Sequence, residues 1–144
     1  MNKLNLIIAL LACLVAFSGC KKVISTSERK AKLLTDKHWK LTAFTINDID
    51  QLGEYEDCEE DDFGVYLSNG TYQVNEGATK CEDDAPQVSE YGRWELMDSK
   101  LIISNDEFDL TITYTIVELG AKKMIIELKD PDGPDIYKFT YTAI

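Results

Sequence analysis

Cysteines carry the most reactive side chains of this sequence, and they fall into two groups. Cys13 and Cys20 lie in or just after an apolar N-terminal segment, whereas Cys58 and Cys81 lie in the polar middle of the chain. A cysteine thiolate can accept a covalent group or bind a metal ion, and two cysteines can form a disulfide. The segment that carries each cysteine decides between these chemistries.

The first 19 residues have the three parts of an export signal. Lys3 supplies the positive charge, and an apolar run follows over Leu4–Phe17. Ser18 and Gly19 are the small residues that come before a cleavage site. The run is about 14 residues long, which is too short for a bilayer core that needs roughly 20. The segment therefore predicts export and cleavage, and Cys13 is removed with it.

The end of this segment resembles the lipobox of bacterial lipoproteins, in which an apolar residue, a small residue and Gly or Ala precede a cysteine. Phe17-Ser18-Gly19-Cys20 follows that pattern, except that leucine is usual where Phe17 stands. The resemblance implies that residues 1–19 are a cleaved signal peptide and that Cys20 is lipidated. Residues 20–30 would then form the anchored tether and the start of a helix. The alternative is an ordinary cleaved signal followed by an unmodified Cys20.

The residues after Cys20 bear on which membrane the lipid would enter. Lys21 follows Cys20, where lipoproteins retained at the inner membrane have an aspartate, and the first acid is Glu28. The expected location is the outer membrane, with its periplasmic face as the first choice and the cell surface as the second. The expected membrane contact is through the N-terminal lipid.

Length and charge limit the function of the mature chain. Cleavage leaves 125 of the 144 residues, enough for one domain with one hydrophobic core. Because residues 1–19 hold one lysine and no acid, cleavage takes the net charge from −11 to −12. Nucleic acid is excluded as an expected partner, since phosphate binding needs a basic face.

Cys58 and Cys81 remain as an even pair in an oxidising compartment, which predicts one disulfide. It would close a loop of about 24 residues and contribute roughly 3 kcal/mol to stability. A metal site is the alternative, but the pair has no Cys-x-x-Cys spacing and no histidine nearby. The disulfide would join two loops that together hold ten acids, which could bind Ca²⁺ but are better explained as solvated: Glu54, Glu56, Asp57, Glu59, Glu60, Asp61, Asp62, Glu82, Asp83 and Asp84.

No residue pattern in the sequence indicates catalysis. His38 is the single histidine, and no nucleophile or orienting acid is marked beside it. A histidine that begins a strand next to a core tryptophan is more often structural. We therefore expect no catalytic residue, no resident metal and no cofactor.

The elements that position these residues begin with a short helix. Ser25 and Glu28 have the spacing of a capping box, which predicts a helix from there to about Leu34. It is too short to be stable alone, so it must dock on other structure.

From Trp39 onward, apolar residues alternate with polar ones, as in half-buried strands. Trp39, Leu41, Ala43 and Thr45 are expected to share one face, and Asn69-Gly70 predicts a tight hairpin. The eight expected strands cover residues 39–46, 63–67, 71–74, 88–97, 101–104, 108–116, 123–128 and 137–142. The links are mostly short, which implies antiparallel pairing. The expected fold is all-β: an eight-stranded antiparallel barrel or strongly curved sheet, with the helix over one end and a sandwich as the alternative.

The order of motifs resembles that of the small bacterial lipocalin-like lipoproteins. In sequence, these motifs are Leu33–Thr42, Cys58, Asp61-Asp62, Asn69-Gly70-Thr71-Tyr72, Cys81 and Gly92-Arg93-Trp94. The resemblance covers residues 31–144 and implies a lipocalin-like barrel. Lipocalins have Gly-x-Trp in the first strand, and this chain has Asp36 and no glycine there.

A small barrel either fills its interior with side chains or holds one small ligand. If it holds a ligand, the expected lining residues are Trp39, Leu41, Phe63, Tyr72, Trp94, Tyr114 and Phe139. The first expected function is a binding module for a small apolar or amphipathic ligand. The alternative is an envelope accessory protein with a filled barrel, whose acidic loops contact a basic protein.

Overall fold

The computed structural model describes residues 25–105 and 107–144. The expected signal peptide, residues 1–19, and the expected lipidation site, Cys20, lie outside the described residues. Within the described part, no helix is long and apolar enough to span a membrane.

Helix α1 spans Thr26–Leu34 and begins with the predicted capping box. The Ser25 hydroxyl accepts a hydrogen bond from the Glu28 N–H at 3.1 Å, and the Glu28 carboxylate accepts one from the Ser25 N–H at 2.8 Å. Both bonds satisfy N–H groups that the first helical turn leaves unpaired. The helix ends with Leu34, which is fully buried against the barrel.

Nine strands follow the helix, and eight of them are long enough to build a sheet. They are β1 (His38–Ile46), β2 (Ile49–Asp50), β3 (Phe63–Tyr66), β4 (Thr71–Asn75), β5 (Val88–Met97), β6 (Lys100–Asn105), β7 (Leu110–Leu119), β8 (Lys123–Lys129) and β9 (Ile136–Ala143). Two single-turn helices, Leu52–Glu54 and Asp57–Glu59, lie in the long loop between β2 and β3.

Antiparallel pairing runs from β1 through β3 and each later strand to β9. Strand β9 then pairs with β1, from Trp39 opposite Ala143 to Ile46 opposite Tyr137. This last pairing closes the sheet into an eight-stranded barrel, as predicted, and removes its exposed edges. The two-residue β2 pairs only with the end of β1.

The two ends of the barrel differ. At the end where β1 begins, which we call the closed end, helix α1 contacts β5 and β7. The most deeply buried side chains include Trp39 and Leu101 near this end, at 1% and 0% exposure. The other end, which we call the open end, carries the long loops 47–62 and 76–87. The helix therefore covers one end of the barrel, as expected.

A bulge in β1 changes which residues face inward. The pairing of β1 with β9 shifts by one residue between Leu41 and Ala43. A bulge of this kind reverses the alternation of side chains beyond it. Phe44 therefore lies opposite Phe139 inside the barrel, with Trp39 and Leu41. The expectation that Ala43 and Thr45 share the face of Trp39 is wrong for that reason.

Strand β7 begins later than expected. Phe108 lies in a turn and is 69% exposed, and the strand starts at Leu110. The buried Asn105 explains the difference, because its side-chain oxygen accepts hydrogen bonds from the N–H groups of Glu107 and Phe108 at 2.9 and 3.4 Å. Those bonds form a local turn that competes with extended pairing.

Candidate functional site

Six of the seven residues expected to line the barrel do face its interior. Residues opposite each other in an antiparallel pair share a face, and the pairings place six side chains on the face of the buried core: Trp39, Leu41, Tyr72, Trp94, Tyr114 and Phe139. Trp39 and Tyr72 are almost fully buried, at 1% and 5% exposure. They form part of the core, while the other four are half-buried.

Phe63 is the exception, because it lies on the outer face of the barrel. It pairs with Lys40, whereas the next residue, Gly64, pairs with the inward-facing Trp39. Its ring stacks on His38 with ring centroids 4.3 Å apart. The structure does not bring Phe63 together with the other six residues, and it gives the exposed His38 a packing contact on the outside of the barrel.

Aromatic rings on β3, β4 and β5 form one side of the interior. The Tyr66 ring lies 6.3 Å from Tyr72 and 6.1 Å from Trp94, the second pair edge to face. The Trp94 indole N–H donates to the Leu67 carbonyl at 3.0 Å, which fixes the ring. Gly92 lies opposite Tyr72 and has to be glycine, since a Cβ there would lie 2.6 Å from the Tyr72 ring and 2.3 Å from the Ser104 carbonyl oxygen.

A second row of rings crosses the interior from β7 to the long loop. Tyr114 meets Phe139 edge to face at 5.9 Å, and Phe139 stacks on Phe44 at 4.8 Å. Phe44 in turn contacts Tyr55 at 5.9 Å. Phe44 belongs to the interior only because of the bulge in β1, so strict alternation could not have identified it.

Glu90 is an interior residue that the sequence analysis missed. It pairs with Val74 on β4, and Val74 packs against the buried core, so the Glu90 side chain faces inward. The Tyr72 hydroxyl donates a hydrogen bond to the Glu90 carboxylate. The alternation of Glu90, Gly92, Trp94 and Leu96 on one face of β5 was the signal that could have found it.

Four tyrosine hydroxyls lie close enough to Glu90 to sense its charge. Burial raises the pKa of Tyr66, Tyr72, Tyr114 and Tyr141, and the negative charge of Glu90 raises each pKa further. These phenols therefore stay protonated at neutral pH and are available as hydrogen-bond donors. We call Glu90 with these four tyrosines the Glu90 cluster.

Burial of the inward-facing side chains is uneven. Trp39, Leu101, Met124 and Ile126 have 0–2% exposure. A larger set of inward-facing residues is only half-buried: Phe44, Ile46, Val74, Glu90, Ile103, Ile112, Ile116, Leu128, Tyr137 and Phe139. These side chains face the space that the barrel strands enclose. We call this space the lumen.

The disulfide between Cys58 and Cys81 is present, with Cα atoms 5.1 Å apart, and it joins the two long loops of the open end. Asp61 links the same loops, because its carboxylate accepts hydrogen bonds from the N–H groups of Ala78 and Thr79 at 2.6 and 3.1 Å. The disulfide prediction is confirmed. The disulfide and the Asp61 hydrogen bonds hold the two acidic loops together at the open end.

One group of described side chains has the spacing of metal ligands: Glu56, Cys58 and Cys81. Both cysteines are consumed by the disulfide, so their sulfurs are not thiolates that could bind an ion. Asp61 uses one carboxylate oxygen on backbone N–H groups. Most carboxylates of the two acidic loops are exposed, whereas Asp61 and Asp62 are half-buried.

The burial of Asp62, in the loop that carries Cys58, can be tested through the pH dependence of the protein's stability. Burial raises its pKa to about 6, with contributions from the nearby charges of Glu76, Asp61 and Glu59. The folded state therefore favours protonated Asp62, and its contribution to stability is fully present below about pH 4 and is lost as the pH rises through about 6.

We expect Asp62→Asn to raise the free energy of unfolding by about 1 kcal/mol at pH 7.5, after allowing for solvent screening. Urea unfolding at pH 4 and pH 7.5 measures it.

Asp83→Asn is the matched control, because it makes the same charge change on an exposed aspartate of the neighbouring loop. It should alter stability by less than about 0.5 kcal/mol at either pH. An Asp62→Asn protein no more stable than Asp83→Asn at pH 7.5 would contradict the raised pKa.

The fold defines a class of protein: a small closed antiparallel β-barrel with a short helix over one end. The sequence model of the lipocalin-like domain family matches residues 36–126. The chain therefore belongs to the lipocalin-like domain family. Its members are generally binding proteins and not enzymes. Among curated proteins, no relative matches the chain.

Proposed function

We propose that this protein is a lipid-anchored, extracytoplasmic binding module that takes a small apolar or amphipathic ligand into its lumen. The observation that carries the proposal is the half-buried state of the inward-facing residues away from the closed end, such as Ile103, Ile112 and Phe139. Leu101, nearer the closed end, is 0% exposed, so the inward face is less buried at these positions. Apolar walls with a few polar groups are typical of small-molecule sites.

Binding in the lumen is testable with two neighbouring isoleucines of β6. Ile103 faces the lumen opposite Trp94, and Ile102 faces outward opposite Glu95; both are half-buried. The neutral fluorescent probe N-phenyl-1-naphthylamine should bind the wild-type protein saturably. Ile103→Trp should weaken that binding at least tenfold, because the larger ring fills the lumen. Ile102→Trp should leave it unchanged.

Thermal unfolding of both variants separates lost binding from lost folding, since an added ring can strain a packed interior. Equal binding by both variants, or no saturable binding by the wild type, would rule out the lumen as the site.

The N-terminal segment before helix α1 and the disulfide support the proposed lipid anchor and location. Phe17-Ser18-Gly19-Cys20 fits a lipobox, and helix α1 begins six residues after Cys20. A structural disulfide is typical of extracytoplasmic proteins. We place the protein on the outer membrane, at the periplasmic face in the first instance and at the cell surface in the second. The lipid is its proposed contact with the membrane.

Changing Cys20 to alanine should release the protein from the membrane fraction, because no thiol remains to accept the lipid. Fractionation of cells that express Cys20→Ala measures this, and Cys13→Ala is the matched control that should remain with the membranes. Membrane association that survives Cys20→Ala would count against lipid anchoring.

A second function is favoured by the order of the acidic loops. The disulfide and the Asp61 hydrogen bonds hold loops 47–62 and 76–87 together, and most of their acids are exposed. An ordered acidic surface suits a basic protein partner, with no nucleic acid involved. Salt-sensitive binding of a basic envelope protein, together with a lumen that takes no probe, would favour this accessory role.

A further inference from the structure

Glu90 is the one acidic or basic side chain on the inward-facing positions of the described barrel strands. The other charged strand residues, such as Lys40, Glu95 and Lys138, alternate onto the outer face. No described lysine or arginine forms an ion pair with Glu90. Its hydrogen-bond partner is the neutral Tyr72 hydroxyl.

The half-buried Glu90 carboxylate has no opposite charge beside it among the described residues. Taking a charge out of water is costly unless an opposite charge or several hydrogen bonds replace the lost water. Among the described residues, the inward face of the barrel supplies tyrosine hydroxyls and no cation. A ligand that brought its own positive charge would pair with Glu90 as it entered.

The surroundings of Glu90 suit an organic cation. The rings of Tyr66 and Tyr72 lie 6.3 Å apart beside it, with Trp94 6.1 Å from Tyr66. Aromatic faces attract ammonium groups within about 6 Å. Beyond them, the half-buried Ile103 and Phe139 of the inward face provide the apolar surface that an alkyl chain would contact.

The net negative charge of the protein also favours a cationic ligand. The chain carries a net charge of −11, and the acidic loops held by the disulfide stand at the open end. This field attracts cations toward the lumen and repels anions such as carboxylates.

We propose that the ligand of the lumen is an amphipathic organic cation, whose ammonium group binds Glu90 among the tyrosines and whose apolar part lies against Ile103 and Phe139. This inference rests on the proposed binding function and names the chemical class of its ligand. A fatty acid is the opposite case, because its carboxylate would lie beside the like charge of Glu90.

The test compares three ligands with the same ten-carbon chain: decyltrimethylammonium, decanol and decanoate. Each displaces N-phenyl-1-naphthylamine from the chain that starts at residue 20 and carries Cys20→Ser, which contains helix α1 and every barrel strand. We expect the ammonium compound to compete about tenfold better than decanol, as a charge-assisted contact allows, and decanoate to compete worst.

Two glutamates on the same strand provide the matched variants. Glu90→Gln should remove the advantage of the ammonium compound over decanol, while Tyr72 can still donate to the amide oxygen. Glu95→Gln, which removes the same charge from the outer face of β5, should preserve that advantage. Its preservation in both variants, or its absence in the wild type, would overturn the inference while leaving lumen binding intact. Failure of the probe to bind the wild type would instead overturn the proposed function itself.

Discussion

Replacing Trp39 by alanine should lower the free energy of unfolding by about 3–5 kcal/mol, the range for removing a large buried aromatic side chain. The Trp39 ring is 1% exposed in the core beneath helix α1. Its indole N–H donates to the carbonyl of Leu34, the last helical residue, at 2.8 Å. The substitution would therefore leave both a cavity and an unpaired buried carbonyl. Urea unfolding followed by circular dichroism measures the loss.

Two further variants make that result interpretable. Trp39→Phe keeps most of the ring but removes the hydrogen bond, so it should cost less than alanine and remain folded if Trp39→Ala does not. Tyr91→Ala alters a tyrosine of the same barrel that is 63% exposed, and it should cost less than about 0.5 kcal/mol. A loss for Trp39→Ala no larger than that for Tyr91→Ala would show that the helix is not held by this side chain.

Removing the disulfide should cost about 3 kcal/mol. Cys58 and Cys81 are 23 positions apart, and cutting their bond restores the freedom of that loop to the unfolded chain. We expect the double variant Cys58→Ser with Cys81→Ser to unfold at a correspondingly lower urea concentration. The free energy of unfolding should also fall more steeply with urea concentration in the variant, because the crosslink limits how far the wild-type chain unfolds.

Reduction of the wild-type protein provides the internal control. Dithiothreitol should lower the stability of the wild type to that of the double-serine variant and should not affect the variant. A wild type with the same stability in both redox states would show that the bond contributes nothing. Lumen binding of the neutral probe should survive in the variant, since the half-buried interior residues lie on strands paired by backbone hydrogen bonds.

Local sequence signals predicted the parts of the fold that depend on local interactions. The Ser25 and Glu28 capping box needs only residues three apart, and the helix begins where it indicated. In β5, simple alternation holds from Glu90 onward, so the inward face of Gly92, Trp94 and Leu96 is as predicted. Closure of the barrel was expected from strand number and confirmed by the pairing of β1 with β9.

The errors occur where distant parts of the chain override alternation. The bulge after Leu41 adapts β1 to β9, nearly 100 residues later in sequence, and no local signal marks it. Phe63 was expected inside because it is aromatic, but its register against Lys40 turns it outward. Register is a property of two strands, so a single strand's composition does not determine it.

The candidate site shows the same division. Trp94, Tyr114 and Phe139 could be found from alternating aromatic residues. The Tyr72 hydrogen bond to Glu90 depends on the register of β4 against β5, and the tyrosines of β3, β7 and β9 come within range of the Glu90 charge only in the folded barrel. Spacing in the sequence does not bring these five residues together, so the Glu90 cluster became visible only in the folded chain.

The position of helix α1 also determines which way the protein would face. Its first turn lies beside the Asp98–Ser99 turn at the closed end, where the Lys30 ammonium donates to the Asp98 carbonyl at 2.6 Å. If Cys20 carries the proposed lipid, the residues between it and Ser25 can span at most about 17 Å. The closed end would then stand next to the bilayer, and the lumen would open toward the aqueous phase. Such a protein would collect its ligand from solution or from another protein. It could take a ligand directly from its own membrane only if the domain rotated until its open end faced the bilayer.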